Sequence, residues 1–471
     1  MNMKYYWVLA GVLGIVIACI FNCCDKKSPE TTTLRIWQTE TDGEAIKVLA
    51  SVKEQFEREN PGVAVKLESV AWGSLSPKLA SAIQSGSEPD VAHLEPFMAF
   101  TFVERNLLIP LDDLIDSIEI QNGDTILANV RNLQEYDYGK HYGIAYAVGS
   151  TAFAYRKDIA DRLRLKEPKT WNDFLAFARS MERGSKLKII LPGGDPFFID
   201  QLFSEMVANN GGRLFDPMTQ QPDLTSRPVI QTLQFFKDLA PMVDPSWTSQ
   251  TYLDQFSRLG KGETSIVMVL YGRASKGITK AVNEVGKNQG LVASPDYFAL
   301  MHQPVGPSYK GPSIATIDCE PYVIFKSALS RKFKNTNNAE LGKRFLMKFY
   351  ETDNYVKFCA KVPIHLTPIF SRMAKNPIYA ENDVMKQWKK WEIHSNEYLN
   401  TPGRVRPILM PDTTKEAQRM PFLMQFQANK ILTQAVTDVI RNGMSADSAA
   451  RQAQDRALNL VSNGRYHGNS H

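Results

Sequence analysis

Residues 33–40, 52–72, 78–96 and 106–115 read TLRIWQTE, VKEQFERENPGVAVKLESVAW, KLASAIQSGSEPDVAHLEP and NLLIPLDDLI. Leu34 and Ile36 predict a buried strand that runs out into the polar loop 38–43. Ile46, Leu49, Val52 and Phe56 recur at three- and four-residue spacing, so residues 45–59 predict an amphipathic helix. Asn60-Pro61-Gly62 stops it, since Pro cannot continue a helix and Gly accepts the turn. Residues 63–67 alternate as a strand does, 76–84 predict a second helix ending at Ser85-Gly86, and 90–94 predict the next strand. Repeated strand–helix–strand units imply a parallel, doubly wound sheet with right-handed crossovers. Ligands of such sheets sit beyond the carboxyl ends of the strands. The loops 38–43, 71–74 and 95–97 are therefore expected to converge on one crevice.

A chain of 471 residues exceeds one ordinary core, so two lobes are expected. Apolar content of 43% and charged content of 22% are those of a globular protein. The net charge of +5 is spread along the chain, and the densest basic run is the short Arg331-Lys332-Phe333-Lys334. A nucleic-acid binder concentrates its cations on one element, so that class is set aside. The seven His residues are scattered without HExxH spacing, and Cys319 and Cys359 form no CxxC, so neither metal nor cofactor is expected. Buried thiols are the favoured reading of those two cysteines over a disulfide.

The N-terminus reads as a targeting segment. Lys4 is followed by an unbroken apolar run from residue 7 to 21, of signal-peptide length and short for a membrane span. Val16-Ile17-Ala18-Cys19 is similar to a lipobox, with small Ala18 before the cut and Cys19 as the lipid-bearing thiol. Residues 1–18 are thus assigned to the signal peptide and 19–32 to a lipid-anchored tether, in which Cys23 and Cys24 are further thiols; an uncleaved anchor is the alternative.

Further along, residues 140–147 and 151–158 predict a long strand pair that carries the chain across to a second lobe. Thr170 and Asp173 predict a capping box at the start of a helix, with Trp171 as its packing anchor. Residues 265–270 are an apolar run read as a buried strand, 321–326 as another return crossing, and the chain beyond 339 as helical, with a long stretch from 422 to 461.

Taken in order, the words Phe56-Glu57-Arg58-Glu59-Asn60-Pro61-Gly62-Val63, Pro89-Asp90-Val91, Leu111-Asp112-Asp113-Leu114, Tyr142-Gly143-Ile144 with Tyr155-Arg156-Lys157-Asp158, Lys169-Thr170-Trp171, Asn210-Gly211-Gly212 and Gly262-Glu263-Thr264 span nearly the whole chain after the tether. In them the chain resembles the extracytoplasmic solute-binding proteins of ABC importers, in particular the sugar-binding cluster with the maltose- and multiple-sugar-binding lipoproteins. The resemblance implies an α/β, two-lobed periplasmic-binding-protein fold with a hinge and a ligand cleft between lobes. The lobes are expected at 33–143 with 268–320, and at 144–267 with 321–471, joined by about three crossings near 142–155, 265–271 and 321–326. It implies a non-enzymatic monomer, exported to the periplasm or cell surface, with a carbohydrate ligand and ABC permease subunits as partners. Two aromatic words customary in the family are absent: Leu270-Tyr271-Gly272-Arg273 and Asp318-Cys319-Glu320-Pro321 stand near their places.

Sugars are held by planar acidic, amide and Arg groups that pair with hydroxyls, and by aromatic faces that cover the ring. Candidate ligand contacts are Trp37, Glu40, Asp42, Trp72 and Glu95 at first-lobe strand ends, and Tyr146 and Ser150 at the first crossing. Asp195 and Phe197 align with a second-lobe segment in which an acid and an aromatic face the ligand; Tyr271, Arg273, Asp318, Glu320 and His365 complete the set. Helix capping is the competing role for Asp195 and Asp42, core packing for Phe197 and Trp37, and an inter-lobe salt bridge for Arg273. The alternatives for function are the same fold taking a cationic, phosphorylated or peptide-like solute, a sensory or adhesion lipoprotein, and, more distantly, a secreted glycan-active enzyme using carboxylates such as Asp195 and Glu320.

Replacing Cys19 by Ser is expected to release the protein from membranes or leave it as an uncleaved precursor, read by fractionation and gel mobility; a mutant that fractionates and migrates as the native chain does overturns the lipobox assignment.

Overall fold

The computed structural model describes residues 31–466 apart from 138, 217, 271, 402, 408 and 410–421. Residues 1–18, read above as a signal peptide, Cys19, Cys23, Cys24, most of the stretch read as a tether and Tyr271 lie outside the described residues. The strands that organise the molecule are β1 (Thr32–Gln38), β2 (Val63–Ser69), β3 (Val91–His93), β4 (Ile144–Ala145), β5 (Gly149–Ser150) and β6 (Ala152–Arg156). They continue with β7 (Ile189–Ile190), β8 (Ile266–Leu270), β9 (Phe298–Met301), β10 (Ala315–Asp318), β11 (Pro321–Ile324) and β12 (Val405–Arg406).

The first sheet has the order β2-β1-β3-β11-β4. β1 runs parallel to β2 and β3, as the strand–helix–strand reading requires, whereas β11 runs antiparallel to β3 and β4. The second sheet has the order β9-β6-β8-β7. A third, small sheet, β12-β10-β5, lies at the crossings. There β5 leads the chain out of the first sheet, β10 leads it back, and the two are antiparallel partners, Ile317 opposite Ser150 and Asp318 opposite Gly149.

This pairing moves the lobe boundaries. Residues 268–320, expected in the first lobe, supply β8, β9 and β10, and β8 and β9 both pair with β6 of the second sheet. Residues 321–324, expected in the second lobe, are β11 of the first sheet. The stretch 265–271 is therefore not a crossing, and the return is made by β10 just before 321. An apolar run buried on both faces reads the same in either sheet, so periodicity cannot assign it. The long strand pair expected over 140–158 is broken into short pieces, and Lys157–Arg162 is already helix.

The helices follow their sequence patterns closely. Asp42 caps Gly43–Glu59 through Oδ1, accepting from the backbone of Glu44 and Ala45 at 3.0 and 3.2 Å. Leu49, Val52 and Phe56 on its inner face are buried, and Phe56 meets Phe345 edge to face with ring centres 5.5 Å apart. The Thr170–Asp173 capping box forms, and Trp171 is buried beside Phe235. The helix expected at 76–84 begins earlier, at Trp72, with Pro77 in its second turn. The long helical stretch expected beyond 422 is three helices, Leu423–Ala428, Ile431–Ile440 and Ala446–Tyr466. Lys430, at φ 54, turns the chain between the first two. Cys319 and Cys359 are both free and buried.

Asp90 ties the first sheet to its helical cover. It is fully buried and accepts hydrogen bonds from the Arg35 backbone (2.7 Å), Asn338 Nδ2 (3.0 Å) and Arg331 Nη1 (2.5 Å). Asp90→Ala leaves the buried Asn338 amide and the half-buried Arg331 guanidinium without their shared carboxylate. It is expected to cost about 3–5 kcal/mol in urea unfolding. Asp113→Ala, at a carboxylate 67% exposed beside Lys343, is expected to cost less than about 1 kcal/mol. Equal losses in the two variants overturn the assignment of Asp90 as the tie.

Candidate functional site

The carboxyl ends of β1 and β3 open onto a crevice between the sheets. It is lined by Thr39, Thr41, Trp72, Glu95, Tyr146, Phe197, Phe198, Tyr252, Arg273, Asp318, Glu320 and His365. Each wall is delivered by a strand end or a helix start. Thr39 and Thr41 follow β1, and Glu95 follows β3. Trp72 opens the helix Trp72–Gln84, Phe197 and Phe198 lie in the first turn of Pro196–Ala208, and Tyr252 opens Tyr252–Lys261. Arg273 stands immediately before Ala274–Glu284, while Asp318 and Glu320 flank the passage from β10 to β11.

Four contacts join the two sides. Arg273 grips Glu40 with both Nη atoms, at 2.7 and 2.9 Å, and the Glu40 residue is 2% exposed. Lys276 Nζ reaches Asp42 Oδ2 at 2.5 Å. Tyr252 hydrogen-bonds the Thr41 side chain. Trp72 and Phe197 stack with ring centres 6.2 Å apart and 8° between planes.

The electrostatics divide the crevice. Burial pushes the Glu40 carboxyl up, but the Arg273 charge and hydrogen bonds outweigh it and hold Glu40 at about 2. Burial lowers His365 to about 4, with Arg273 adding to the effect, so His365 is neutral near pH 7 although its Nδ1 lies 3.2 Å from Asp318 Oδ2. His93, beneath Tyr146 at 4.0 Å between ring centres, is lowered by burial to about 3. Glu95 and Glu320 go the other way: burial raises both, and the neighbouring carboxylate of Asp318 raises them further.

Of the residues singled out in the sequence, the crevice gathers Trp72, Glu95, Tyr146, Phe197, Arg273, Asp318, Glu320 and His365. Glu40 lies directly behind Arg273 as its partner. The others stand elsewhere. Trp37 is buried in β1 with Lys78 Nζ 4.5 Å from its ring centre. Asp42 caps a helix and pairs with Lys276. Ser150 Oγ meets Ser395 Oγ at 3.1 Å within the crossing. Asp195 accepts from the Tyr252 backbone at 2.9 Å, which fixes the start of that helix. Thr39, Thr41, Phe198 and Tyr252 were not singled out. The position of Thr39 and Thr41 on the loop 38–43 was the signal available for them, whereas Tyr252 comes from a helix start that pattern alone does not place.

A family model, the bacterial extracellular solute-binding protein, matches residues 37–327. YcjN of Escherichia coli K12, named as a candidate periplasmic-binding protein of an ABC transporter, is 22% identical over 390 residues, covering 80% of this chain and 82% of that protein. An arabinooligosaccharide-binding protein of Halalkalibacterium halodurans is 27% identical over 206 residues, 42% of this chain and 44% of that one. Among solved structures, a sugar transporter of Arthrobacter chlorophenolicus A6 with bound laminaribiose has a TM-score of 0.71 at 17% identity, covering 92% of this chain and 99% of that chain. A solute-binding protein of Agrobacterium radiobacter K84 in complex with ribitol has a TM-score of 0.72 at 16% identity, covering 92% and 100%. At these identities the structures establish the fold: two lobes of the periplasmic-binding-protein type.

The pair that ties the lobes has a pH signature. A depressed carboxyl adds stability that is full above its unfolded value and disappears as pH falls through its folded value. For Glu40 that window runs from about 4.5 down to about 2, and a shift of this size is worth about 3 kcal/mol. The double variant Glu40→Gln, Arg273→Met removes both charges. Urea unfolding as a function of pH is expected to show wild type losing about 3 kcal/mol more than the double variant across the window; identical pH profiles overturn the assignment.

Proposed function

The chain belongs to the bacterial extracellular solute-binding protein family, and from that premise we propose that it captures a small carbohydrate by closing its lobes and passes it to the membrane subunits of an ABC importer. The observation that carries the reading is the pairing, in one inter-lobe crevice, of aromatic faces with carboxylates and a guanidinium. Trp72 and Phe197 offer flat apolar faces, and Glu95, Asp318 and Glu320 offer planar groups for hydroxyls. That combination suits a ring with apolar C–H surfaces and polar edges. The relatives named for arabinooligosaccharide and for laminaribiose support the same class.

In this reading Trp72, Glu95, Tyr146, Phe197, Asp318, Glu320 and His365 contact the ligand, and Thr39, Thr41, Phe198 and Tyr252 complete the walls. Arg273 serves first as the partner of Glu40. Ligand that touches both walls favours the closed arrangement over the open one, because only there does it make both sets of contacts. The protein works as an exported monomer held at the membrane by lipid on Cys19, with the first lobe nearest the anchor.

A thermal-shift screen against mono-saccharides, oligosaccharides and polyols tests the class. Ligand at a hundred times its Kd adds about 2.7 kcal/mol of apparent stability. A shift with amino acids or peptides and none with any sugar overturns the reading. With the bound sugar in hand, Trp72→Ala is expected to weaken binding about tenfold or more, since uncovering roughly 60 Å² of apolar contact costs about 1.5 kcal/mol. Calorimetry reads the affinity and the melting temperature separates a cleft role from a core role: unchanged affinity with a lowered Tm places Trp72 in the core.

A further inference from the structure

Among the described residues, the acid group of this crevice lacks a balancing cation. Glu95, Asp318 and Glu320 are 4%, 8% and 8% exposed. Glu320 hydrogen-bonds Asp318, and the charge of Asp318 acts on both glutamates. The cation in the crevice wall, Arg273, is already engaged by both oxygens of Glu40. His365, which touches Asp318, is held neutral by burial and by Arg273.

Glu95 is the second, independent sign. It occupies the cap position of the helix Pro96–Glu104 but makes no cap bond to it. Its side chain lines the crevice and has no hydrogen-bond partner among the described residues. No cation acts on it: burial and Asp318 both push its carboxyl up, and nothing pulls it down. A buried carboxyl in this position has two ways to escape the cost of desolvation. It keeps a proton, or it meets a positive charge brought in from outside. Among the described residues no three His, Cys, Asp or Glu groups converge tightly enough to hold a metal ion. A protonated amine has three directed donors and needs no such convergence.

We propose that Glu95, Asp318 and Glu320 form a cation subsite within the crevice, so that the saccharide it takes carries a protonated amine. This rests on the carbohydrate reading above and narrows it to amino sugars. The ring lies against Trp72 and Phe197, and its ammonium faces Glu95. Entry of the cation displaces protons held by Glu95 and Glu320, whose carboxyls burial and the Asp318 charge push up. The other titratable groups around the subsite are Glu40, held ionised by Arg273, and His93, Tyr146, Tyr252 and His365, all neutral near pH 7. The protons released therefore come from the acids themselves.

The test is calorimetry at mildly acidic pH, where an amino sugar already carries its proton. The probes are the β-1,4 disaccharide of glucosamine, its N-acetylated form and cellobiose, each in buffers of different ionisation enthalpy. The glucosamine disaccharide is expected to bind roughly 10- to 100-fold tighter than the other two, as charge-assisted hydrogen bonds do, and to release protons on binding. Glu95→Gln, which preserves size, is expected to erase the proton release and the preference, so that the glucosamine disaccharide and cellobiose bind the variant with equal affinity. Glu320→Gln is the substitute should Glu95→Gln fail to fold. Equal or tighter binding of the neutral disaccharides, without proton release, overturns the cation subsite and leaves the carbohydrate reading standing. Failure of all three probes, together with the wider sugar panel, overturns the carbohydrate reading and this one with it.

Discussion

The bidentate pair between Glu40 and Arg273 is the contact on which the two-lobed arrangement turns. Each charge is withdrawn from water, and each is tolerable only because the other is there in fork geometry. Neither lobe can keep its half buried alone. The chain also takes care over delivery. Gly272 precedes the arginine, and a Cβ there would stand 2.4 Å from the Ile364 carbonyl carbon and 2.5 Å from the His365 nitrogen. The strand end therefore passes hard against the segment around Ile364, and only glycine fits. Close approach of backbone to backbone thus sets where the guanidinium emerges, and the guanidinium sets where Glu40 and its loop must come to rest.

Around that pair the crevice is built from unlike halves. Aromatic rings from both lobes meet at Trp72 and Phe197. Acidic groups gather at Glu95, Asp318 and Glu320, the last two beside the crossing strands. An apolar face and a polar edge presented together orient a flat ligand as well as hold it. The buried imidazoles of His93 and His365 add hydrogen-bonding capacity without adding charge near pH 7.

Much of this was legible before any coordinates. The spacing of apolar residues located β2 and the helix Gly43–Glu59, because one face of each is buried and the other is wet, and the short apolar runs located β1 and β3, which are largely buried on both faces. Pro and Gly marked the joints, and the rule that ligands gather beyond strand ends pointed to Trp72 and Glu95. What stayed hidden has physical causes. The strand Ile266–Leu270 is apolar throughout, so its pattern carries no information on which sheet it joins. Asp195 and Tyr252 are 57 positions apart, and the bond between them follows from tertiary packing rather than from any local pattern. Trp37 sits within β1 and faces the core, while Trp72 begins a helix and faces the crevice. The two tryptophans look alike as letters, and backbone direction alone separates them.

The small sheet at the crossings has a mechanical meaning. Two strands that merely passed side by side would let the lobes swivel as on a string. Here β5 and β10 are stitched by ladder hydrogen bonds, and β12 is stitched to β10 in turn. Such a strip behaves as a leaf spring, compliant to bending across its plane and stiff to shear along it. A lobe that moved by bending this strip would return along the same path and bring the same side chains face to face. Fidelity of the bite is thus a property of the strip between the jaws, remote from any residue that a guest would touch.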